Sequence, residues 1–552
     1  MESNEFQASL RWPEQREKLP PCQAACPSGN DIRGWIATIT QSGAQGLGPD
    51  DACILAWNRL VSSNPFPATM GRVCPSPCET RCNRTHKDGS VAIHALERYI
   101  GDWALRNGLA LPRLETRPQH ESVGVIGAGP AGLSFAWQMA RRGYPVTVYE
   151  AAPEPGGMLR YGIPSYRLPK HICGGEIQRI LDLGVDLRLN TRIGREVTLA
   201  ELYNRHSGLF LGIGAQQGRS LRIPGEEGPG VWTGVDYLNL VNNGQKVDVG
   251  ERTVVVGGGN SAINAARTAR RSGAAVFLLY RRTREEMPAI ESETEDALQE
   301  DVNIEYLAAP REILREGGRI RALIIQKMRL AEPDKSGRRR PVPAPGAEYE
   351  LPVDSVIAAI SQEPEWEYLE DLNPGGIWME CDATGRAGDR LWAGGDVLGL
   401  GIASRAIGQG RQAAEAMHGH LRGLDAAEQP REAAISRDQI MLDYYAEQSP
   451  VKPPSRPPEE WLSDPEREIC LTIAEHQFRQ EISRCFSCGL CFGCQRCWMY
   501  CNPSSYTPLR EPGPGAYFSL DLDSCEGCGK CIEVCPCGFL GLRETVQHPR
   551  SE

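Results

Sequence analysis

The sequence predicts an α/β protein, and three observations carry that reading. A unit of apolar strand, glycine-rich turn, Ala-rich helix and second strand runs from Val123 to Glu150 and recurs from Thr253 to Arg282, the order that builds parallel sheets. Ahead of it, residues 1 to about 118 read as short helices broken by Cys and Pro. Behind it, between Cys485 and Cys535, the spacing C-x2-C-x2-C-x3-C occurs twice.

The first unit places Gly127, Gly129 and Gly132 in G-x-G-x-x-G spacing around Pro130 and Ala131. Such glycines permit a tight turn and let backbone N–H groups meet a pyrophosphate at a helix N-terminus. The second strand then delivers Glu150 where a ribose hydroxyl would sit. The repeat keeps Gly257, Gly259 and Ala262, with Asn260 and Ser261 in the turn, but ends on Arg281 and Arg282 instead of an acid. A guanidinium there suits a 2′-phosphate, so NADP(H) is favoured over NAD(H); two surface arginines beside a bound NAD(H) are the alternative. A third element, Leu391 to Asp396, carries Gly394, Gly395 and Asp396 to the start of a helix near Ser404. A carboxylate placed there can hold a polyol chain.

The two cysteine runs are Cys491, Cys494, Cys497 and Cys501, then Cys525, Cys528, Cys531 and Cys535 before Pro536. In two-cluster ferredoxins the fourth Cys of each run ligates the other cluster. Cys491, Cys494, Cys497 and Cys535 are therefore expected to hold one [4Fe–4S] cluster, and Cys525, Cys528, Cys531 and Cys501 the second. Disulfides or structural zinc are the competing readings.

Bulk properties bound the function. At 552 residues, with 41% hydrophobic and 24% charged residues, three or four ordinary globular domains are expected. A net charge of -11 disfavours nucleic acid, which needs a basic face. The basic run Arg338, Arg339 and Arg340 reads as a solvated loop. No basic start leads into an apolar core and no apolar stretch approaches the ~18 residues of a membrane span. With twenty cysteines, this points to metal ligation in a reducing cytoplasm.

The order Gly127-Ala-Gly-Pro-Ala-Gly132, Glu150, Gly156-Gly-Met-Leu-Arg-Tyr-Gly-Ile-Pro164, Gly257-Gly-Gly-Asn-Ser-Ala262 and Gly394-Gly-Asp396 resembles the small subunit of glutamate synthase and its relatives. Among these are the flavin-containing halves of dihydropyrimidine dehydrogenase and of bifurcating transhydrogenases. The match covers about residues 20 to 425. It implies FAD on the first unit, with Gly157 and Met158 in its site, and a nicotinamide nucleotide on the second, the second inserted in the first. The expected organisation is a helical iron–sulfur domain (1–118), an FAD domain in two parts (119–225 and 380–425), a Rossmann-like NAD(P) domain (226–379), a Pro-rich linker (426–475) and a ferredoxin-like α+β domain (476–552). That layout is similar to the iron–sulfur flavoprotein associated with dissimilatory sulfite reductase and to subunits of some aromatic-ring-reducing complexes.

Cys22, Cys26, Cys74, Cys78 and Cys82 offer five thiols, enough for one cluster. Family members with two N-terminal clusters carry further cysteines upstream, and residues 1–21 hold none, so a single cluster is expected. Glu97 falls on the apolar face marked by Ile93, Leu96, Ile100 and Trp103, about 40° from Ile93 at 3.6 residues per turn. An inward carboxylate needs a cation, hydrogen bonds or a metal. The resemblance implies Cys26, Cys74, Cys78 and Glu97 as the ligand set, with an all-cysteine set drawing on Cys22 or Cys82 as the competitor. Cys485, Cys488 and Cys537 read as inert thiols, with alternative ligands or a further small site as the competing readings, and Cys53, Cys173, Cys381 and Cys470 as small core residues.

No C-x-x-C pair lies in the nucleotide region and no H-x3-H pair exists, so neither a dithiol nor a hydrolytic zinc centre is expected. Tyr161, Arg167 and His171 are expected to be structural. The expected activity is electron transfer between NAD(P)H, FAD and [4Fe–4S] clusters, to or from a protein redox partner, with no catalytic side chain. A glutamate synthase small subunit proper and a non-catalytic relay subunit are the rivals. Oligomeric state is left open.

Overall fold

The computed structural model describes residues 11–333, 337–373, 375–424 and 433–543. They form two compact units.

One unit takes residues 112–425 and 454–471. Its first sheet has six strands in the order Arg386–Gly388, Leu391–Ala393, Gly208–Leu211, Val123–Ile126, Val146–Tyr149, Asp186–Arg188. All neighbours are parallel except the first pair. Val123–Ile126 is buried at every position, as a strand covered on both faces must be. The helix Pro130–Ala140 starts on a proline, whose missing N–H is no loss in a first turn. The helix Ala403–Arg422 lies so close to it that a Cβ on Gly410 would stand 2.2 Å from the Ala131 carbonyl oxygen. Between these two stretches of the first sheet the chain makes a second, all-parallel sheet: Asn303–Tyr306, Ala275–Tyr280, Arg252–Val256, Ser355–Ala358, Val231–Thr233. The insertion of one nucleotide fold in the other is therefore observed. An antiparallel meander (Ala308–Glu316, Arg319–Pro333, Arg339–Pro352) completes the insert.

Residues 426–432 of the expected linker lie outside the described residues; from 433 to 475 it is not a linker. Trp461 and Ile469 are buried with Tyr166, and Arg271 Nη1 donates to the carbonyls of Trp461 (2.7 Å) and Pro465 (2.9 Å). Prolines made this stretch look extended, but its few large apolar residues find a cover that composition does not reveal.

The other unit joins residues 1–111, 426–453 and 472–552. Four of its helices, Pro21–Ala25, Pro49–Val61, Pro67–Val73 and Pro77–Thr80, begin on proline. Trp35, Trp57, Leu60, Leu96 and Ile100 are buried, and Gly101 lets the helix Ile93–Arg106 approach the Ala68 backbone, where a Cβ would stand 2.3 Å from the Ala68 amide nitrogen. The cysteine-rich C-terminal segment has two short helices, Arg496–Met499 and Lys530–Glu533, and the hairpin Tyr506–Gly513 with Ala516–Leu520. Its last strand, Leu540–Arg543, pairs antiparallel with Trp12–Gln15. The two ends of the chain, expected as separate domains, thus share one body. Ile435, Ile440 and Val451, also in the expected linker, are buried in it. Among the described residues no helix is long and apolar enough to cross a membrane.

Candidate functional site

Gly127, Gly129, Pro130, Ala131, Glu150, Gly157, Met158, Gly395 and Asp396 line one cavity of about 270 Å³. The three motif glycines do different work. Gly127 has φ +100°, and a Cβ there would stand 2.5 Å from the Gly212 carbonyl oxygen. A Cβ on Gly132 would stand 2.0 Å from the Gly127 oxygen, so Gly132 sits behind the wall and lets helix meet strand. At Gly129 a Cβ would meet nothing nearer than 4.0 Å, which is where a pyrophosphate needs backbone access. Glu150 accepts from the amides of Ala128 (2.7 Å) and Ala152 (2.8 Å); burial raises its pKa against the pull of these hydrogen bonds. Burial also lifts Asp396 to about 6, opposed by the Gly401 amide, 3.0 Å from Oδ1.

Gly257, Gly259, Asn260, Ser261, Arg281 and Arg282 line a second cavity, of about 780 Å³. Ala262, fully buried, packs beneath it. Asn260 Oδ1 accepts from the Ile290 amide at 2.9 Å, tying the turn to the next segment. Arg338 lines the same cavity, and Arg282 Nε donates to the Arg339 carbonyl at 2.9 Å. Of the basic run at 338–340, Arg338 borders the cavity; all three arginines are solvent-exposed, as expected, but Arg339 and Arg340 stand in the strand Arg339–Pro352 rather than in a loop. Asp396 lines both cavities. Tyr161 borders the first, its hydroxyl donating to the Glu154 carbonyl at 3.0 Å. Arg167 pairs with Glu293 at 2.8 Å, and His171 lies on the surface.

None of the twenty cysteines is joined in a disulfide. In the C-terminal segment burial raises Cys497 to about 12, and Cys491, Cys494 and Cys535 add to the rise. Burial likewise raises Cys531, with Cys525 and Cys528 contributing, and Cys501 contributes at Cys525. Cys535 thus stands close enough to Cys491, Cys494 and Cys497 to act on each, and Cys501 close enough to act on Cys525. Cys537 lies 3.9 Å from Cys535 Sγ, and this hydrogen bond pulls the Cys535 thiol down. In the N-terminal segment burial raises Cys78, followed by the charges of Glu79, Glu97, Cys26 and Cys74. Glu97 Oε1 accepts from Asn64 Nδ2 at 2.7 Å and from Asn30 Nδ2 at 3.4 Å. Cys22 and Cys82, the competing ligands, border a small cavity together with Cys485 and Cys488. Cys173 is buried as expected, whereas Cys53 and Cys381 are half-buried and Cys470 is exposed. No group of three or more His, Cys, Asp or Glu among the described residues is gathered for a single metal ion.

Residues 121–416 match the pyridine nucleotide-disulphide oxidoreductases, over more than half of the sequence. The chain belongs to that family. Within this oxidoreductase family it lacks a dithiol in the nucleotide region, where Cys173 and Cys381 stand alone. Residues 16–109 match the dihydropyrimidine dehydrogenase domain II with its 4Fe-4S cluster, and 518–540 the 4Fe-4S binding domain. The matches thus set an FAD- and NADP-type unit between two iron–sulfur segments. Among curated relatives, the NADP(+)-dependent formate dehydrogenase subunit beta of Moorella thermoacetica is 38% identical over 432 residues, 73% of this chain and 60% of that protein. The NADPH-Fe(3+) oxidoreductase subunit beta of Geobacter sulfurreducens is 39% identical over 359 residues, 64% of this chain and 52% of that protein. The chain therefore spans little more than half the length of these two. The glutamate synthase [NADPH] small chain of Azospirillum brasilense is 32% identical over 430 residues, 73% of this chain and 87% of the relative.

Proposed function

We propose that this chain is an NADPH:acceptor oxidoreductase in which a nicotinamide in the second cavity exchanges a hydride with FAD in the first, and [4Fe–4S] clusters carry single electrons to or from a protein redox partner. The observation that carries the reading is Asp396, which lines both cavities and so brings the ends of two nucleotides to one place. In the first cavity the helix starting at Pro130 receives the pyrophosphate, Glu150 the ribose and Asp396 the polyol chain. In the second, Gly259 to Ala262 receive the pyrophosphate, and Arg281 and Arg282, with Arg338, receive the 2′-phosphate. Cys491, Cys494, Cys497 and Cys535 hold one cluster, Cys525, Cys528, Cys531 and Cys501 a second, and Cys26, Cys74, Cys78 and Glu97 a third. No side chain need act as acid or base; the walls of the two cavities do their part by placing two rings.

The partner we propose is a large redox enzyme, of the sulfite reductase or formate dehydrogenase kind. Support comes from the names of two relatives, each a beta subunit. Twenty cysteines, none in a disulfide, suit a reducing cytoplasm. A glutamate synthase small subunit is the second reading, favoured by the 87% of that relative covered; the appended cysteine runs weigh against it. The test is anaerobic mixing with NADPH or NADH and a dye acceptor. The flavin band should bleach, faster with NADPH, and no bleaching with either nucleotide would end the proposal.

A further inference from the structure

The cysteines left over from the three sets above converge. Cys22 and Cys82, from the N-terminal helices, border one cavity with Cys485 and Cys488, from the opposite end of the chain. Burial raises the Cys22 thiol, and the thiols that add to the rise are Cys485, Cys82 and Cys488. Apolar Ile32, Ile36, Val91, Ile93 and Phe486 close the walls.

Two observations separate this cluster of thiols from four inert core residues. The first is the turn. In Cys485-Phe-Ser-Cys488 the third residue, Ser487, has φ +54° and its amide points at Cys485 Sγ, 3.4 Å away. Gly527 does the same for Cys525, with φ +65° and 3.4 Å, and the Gly493 amide hydrogen-bonds Cys491 with φ +74°. The 485–488 loop is thus built like the loops of the two ferredoxin-type runs, and it keeps that shape although a serine is strained there where the others use glycine. A second donor, Asn83 Nδ2, stands 3.6 Å from Cys488 Sγ.

The second is charge. A [4Fe–4S] group on four thiolates is an anion, and a buried anion needs compensating charge or donors. Arg33 and Arg84 are both buried and line the cavity. Arg33 Nη1 donates to the Cys488 carbonyl at 2.8 Å, while its Nε has no hydrogen-bond partner among the described residues. Its carboxylate neighbour, Glu17, has 62% of its side chain in solvent and so cancels little of the charge inside. Arg84, whose guanidinium lies 4.9 Å from the Phe486 ring centre, pairs with Asp88 at 2.6 Å.

We propose that Cys22, Cys82, Cys485 and Cys488 hold a fourth [4Fe–4S] cluster, a site shared between the two ends of the chain. Its insertion is ligand exchange: a pre-formed [4Fe–4S] cluster held by four carrier thiolates gives up those four Fe–S bonds and forms four to the cysteines, whose thiol protons pass to the departing thiolates, with no change of oxidation state. Cys22 stands four residues from Cys26, and Cys82 four from Cys78, so this site adjoins the N-terminal set. On its other side the Gly489 amide donates to the Cys537 carbonyl at 2.7 Å, and the ring of Tyr445, tilted against Phe486 with centres 4.2 Å apart, belongs to a phenol raised by burial and then by Cys537, Cys488, Cys485 and Cys535. The fourth cluster therefore links the N-terminal cluster to the ferredoxin-type pair. The inference rests on the iron–sulfur reading above.

Full-length protein reconstituted anaerobically, then analysed for iron, sulfide and zinc, tests it. Four clusters correspond to about sixteen iron atoms per chain, and Cys485→Ser/Cys488→Ser should lose about four together with one EPR component of the reduced protein. Cys22→Ser, from the other end, should lose the same component, with normal flavin content as the check on folding. Wild type holding about twelve iron atoms, unchanged in both variants, would overturn the fourth site and leave three clusters standing. One zinc lost with Cys485 and Cys488 would also overturn it. The control variant Cys491→Ser/Cys494→Ser should lose iron whatever happens at the fourth site; if it does not, the reading of the ferredoxin-type runs is wrong instead.

Discussion

The two nucleotide cradles share a plan and differ at two positions. At the last small residue of the motif, the first cradle has Gly132, where a Cβ would run into the Gly127 carbonyl oxygen at 2.0 Å, while the second has Ala262, accommodated and fully buried. At the end of the second strand, one has a half-buried acid, Glu150, and the other two arginines joined by a third, Arg338. The first difference sets how tightly helix meets strand. In the function proposed above, the second sets which ribose is accepted, since a carboxylate repels a 2′-phosphate that guanidinium groups attract.

The sharpest break is Gly132→Ala. Its Cβ has no space, and overpacking of this kind costs about 3 kcal/mol. We expect flavin-free protein with a lowered Tm, read by absorbance and thermal melting; a normal flavin complement would show that the first cradle is as roomy as the second. Next comes Arg281→Ala with Arg338→Ala. Losing charge-assisted hydrogen bonds of about 1.5–3 kcal/mol should weaken NADPH by about 10- to 100-fold and leave NADH unchanged, measured as KM for each nucleotide. Equal losses for both would remove the assignment of these arginines to the 2′-phosphate.

Asp396, common to both cavities, allows a smaller test. Burial holds its carboxyl at about 6, against about 3.9 in an unfolded chain. The folded state binds this proton more tightly, so its contribution to stability is complete below about pH 4 and is lost as pH rises through about 6. Asp396→Asn should therefore stabilise flavin-free protein by about 1–2 kcal/mol at pH 7 and by nothing at pH 4. A gain of equal size at both pH values would show packing rather than charge. The smallest effect is expected of Ala262→Gly, about 1 kcal/mol from helix propensity in denaturant unfolding, with nucleotide binding intact.

Much of this was legible because the chemistry is local. A strand, a glycine turn and a helix N-terminus make a phosphate cradle within a few consecutive residues, so Gly127 to Gly132, Glu150 and Gly257 to Ala262 announce themselves in order. The ferredoxin spacing is equally local, and the expectation that Cys501 and Cys535 exchange between runs rests on it. Glu97 was legible as an inward acid from helical period alone, though its companions Asn30 and Asn64 were not. The misses share a cause. Arg338 reaches the second cavity only because two long strands pair, and Trp461 is covered only because Tyr166 and Arg271 lie where it lands.

What the sequence determined unaided is every site whose atoms come from one short stretch of backbone, since bond geometry and φ/ψ limits leave such a stretch few shapes. Only the tertiary structure decided that Trp12–Gln15 pairs with Leu540–Arg543, and that Cys22 and Cys82 meet Cys485 and Cys488. Contacts between chain ends arise from burial and strand pairing of the whole unit, forces that act on surfaces rather than on neighbours in sequence, and so leave no local pattern to read.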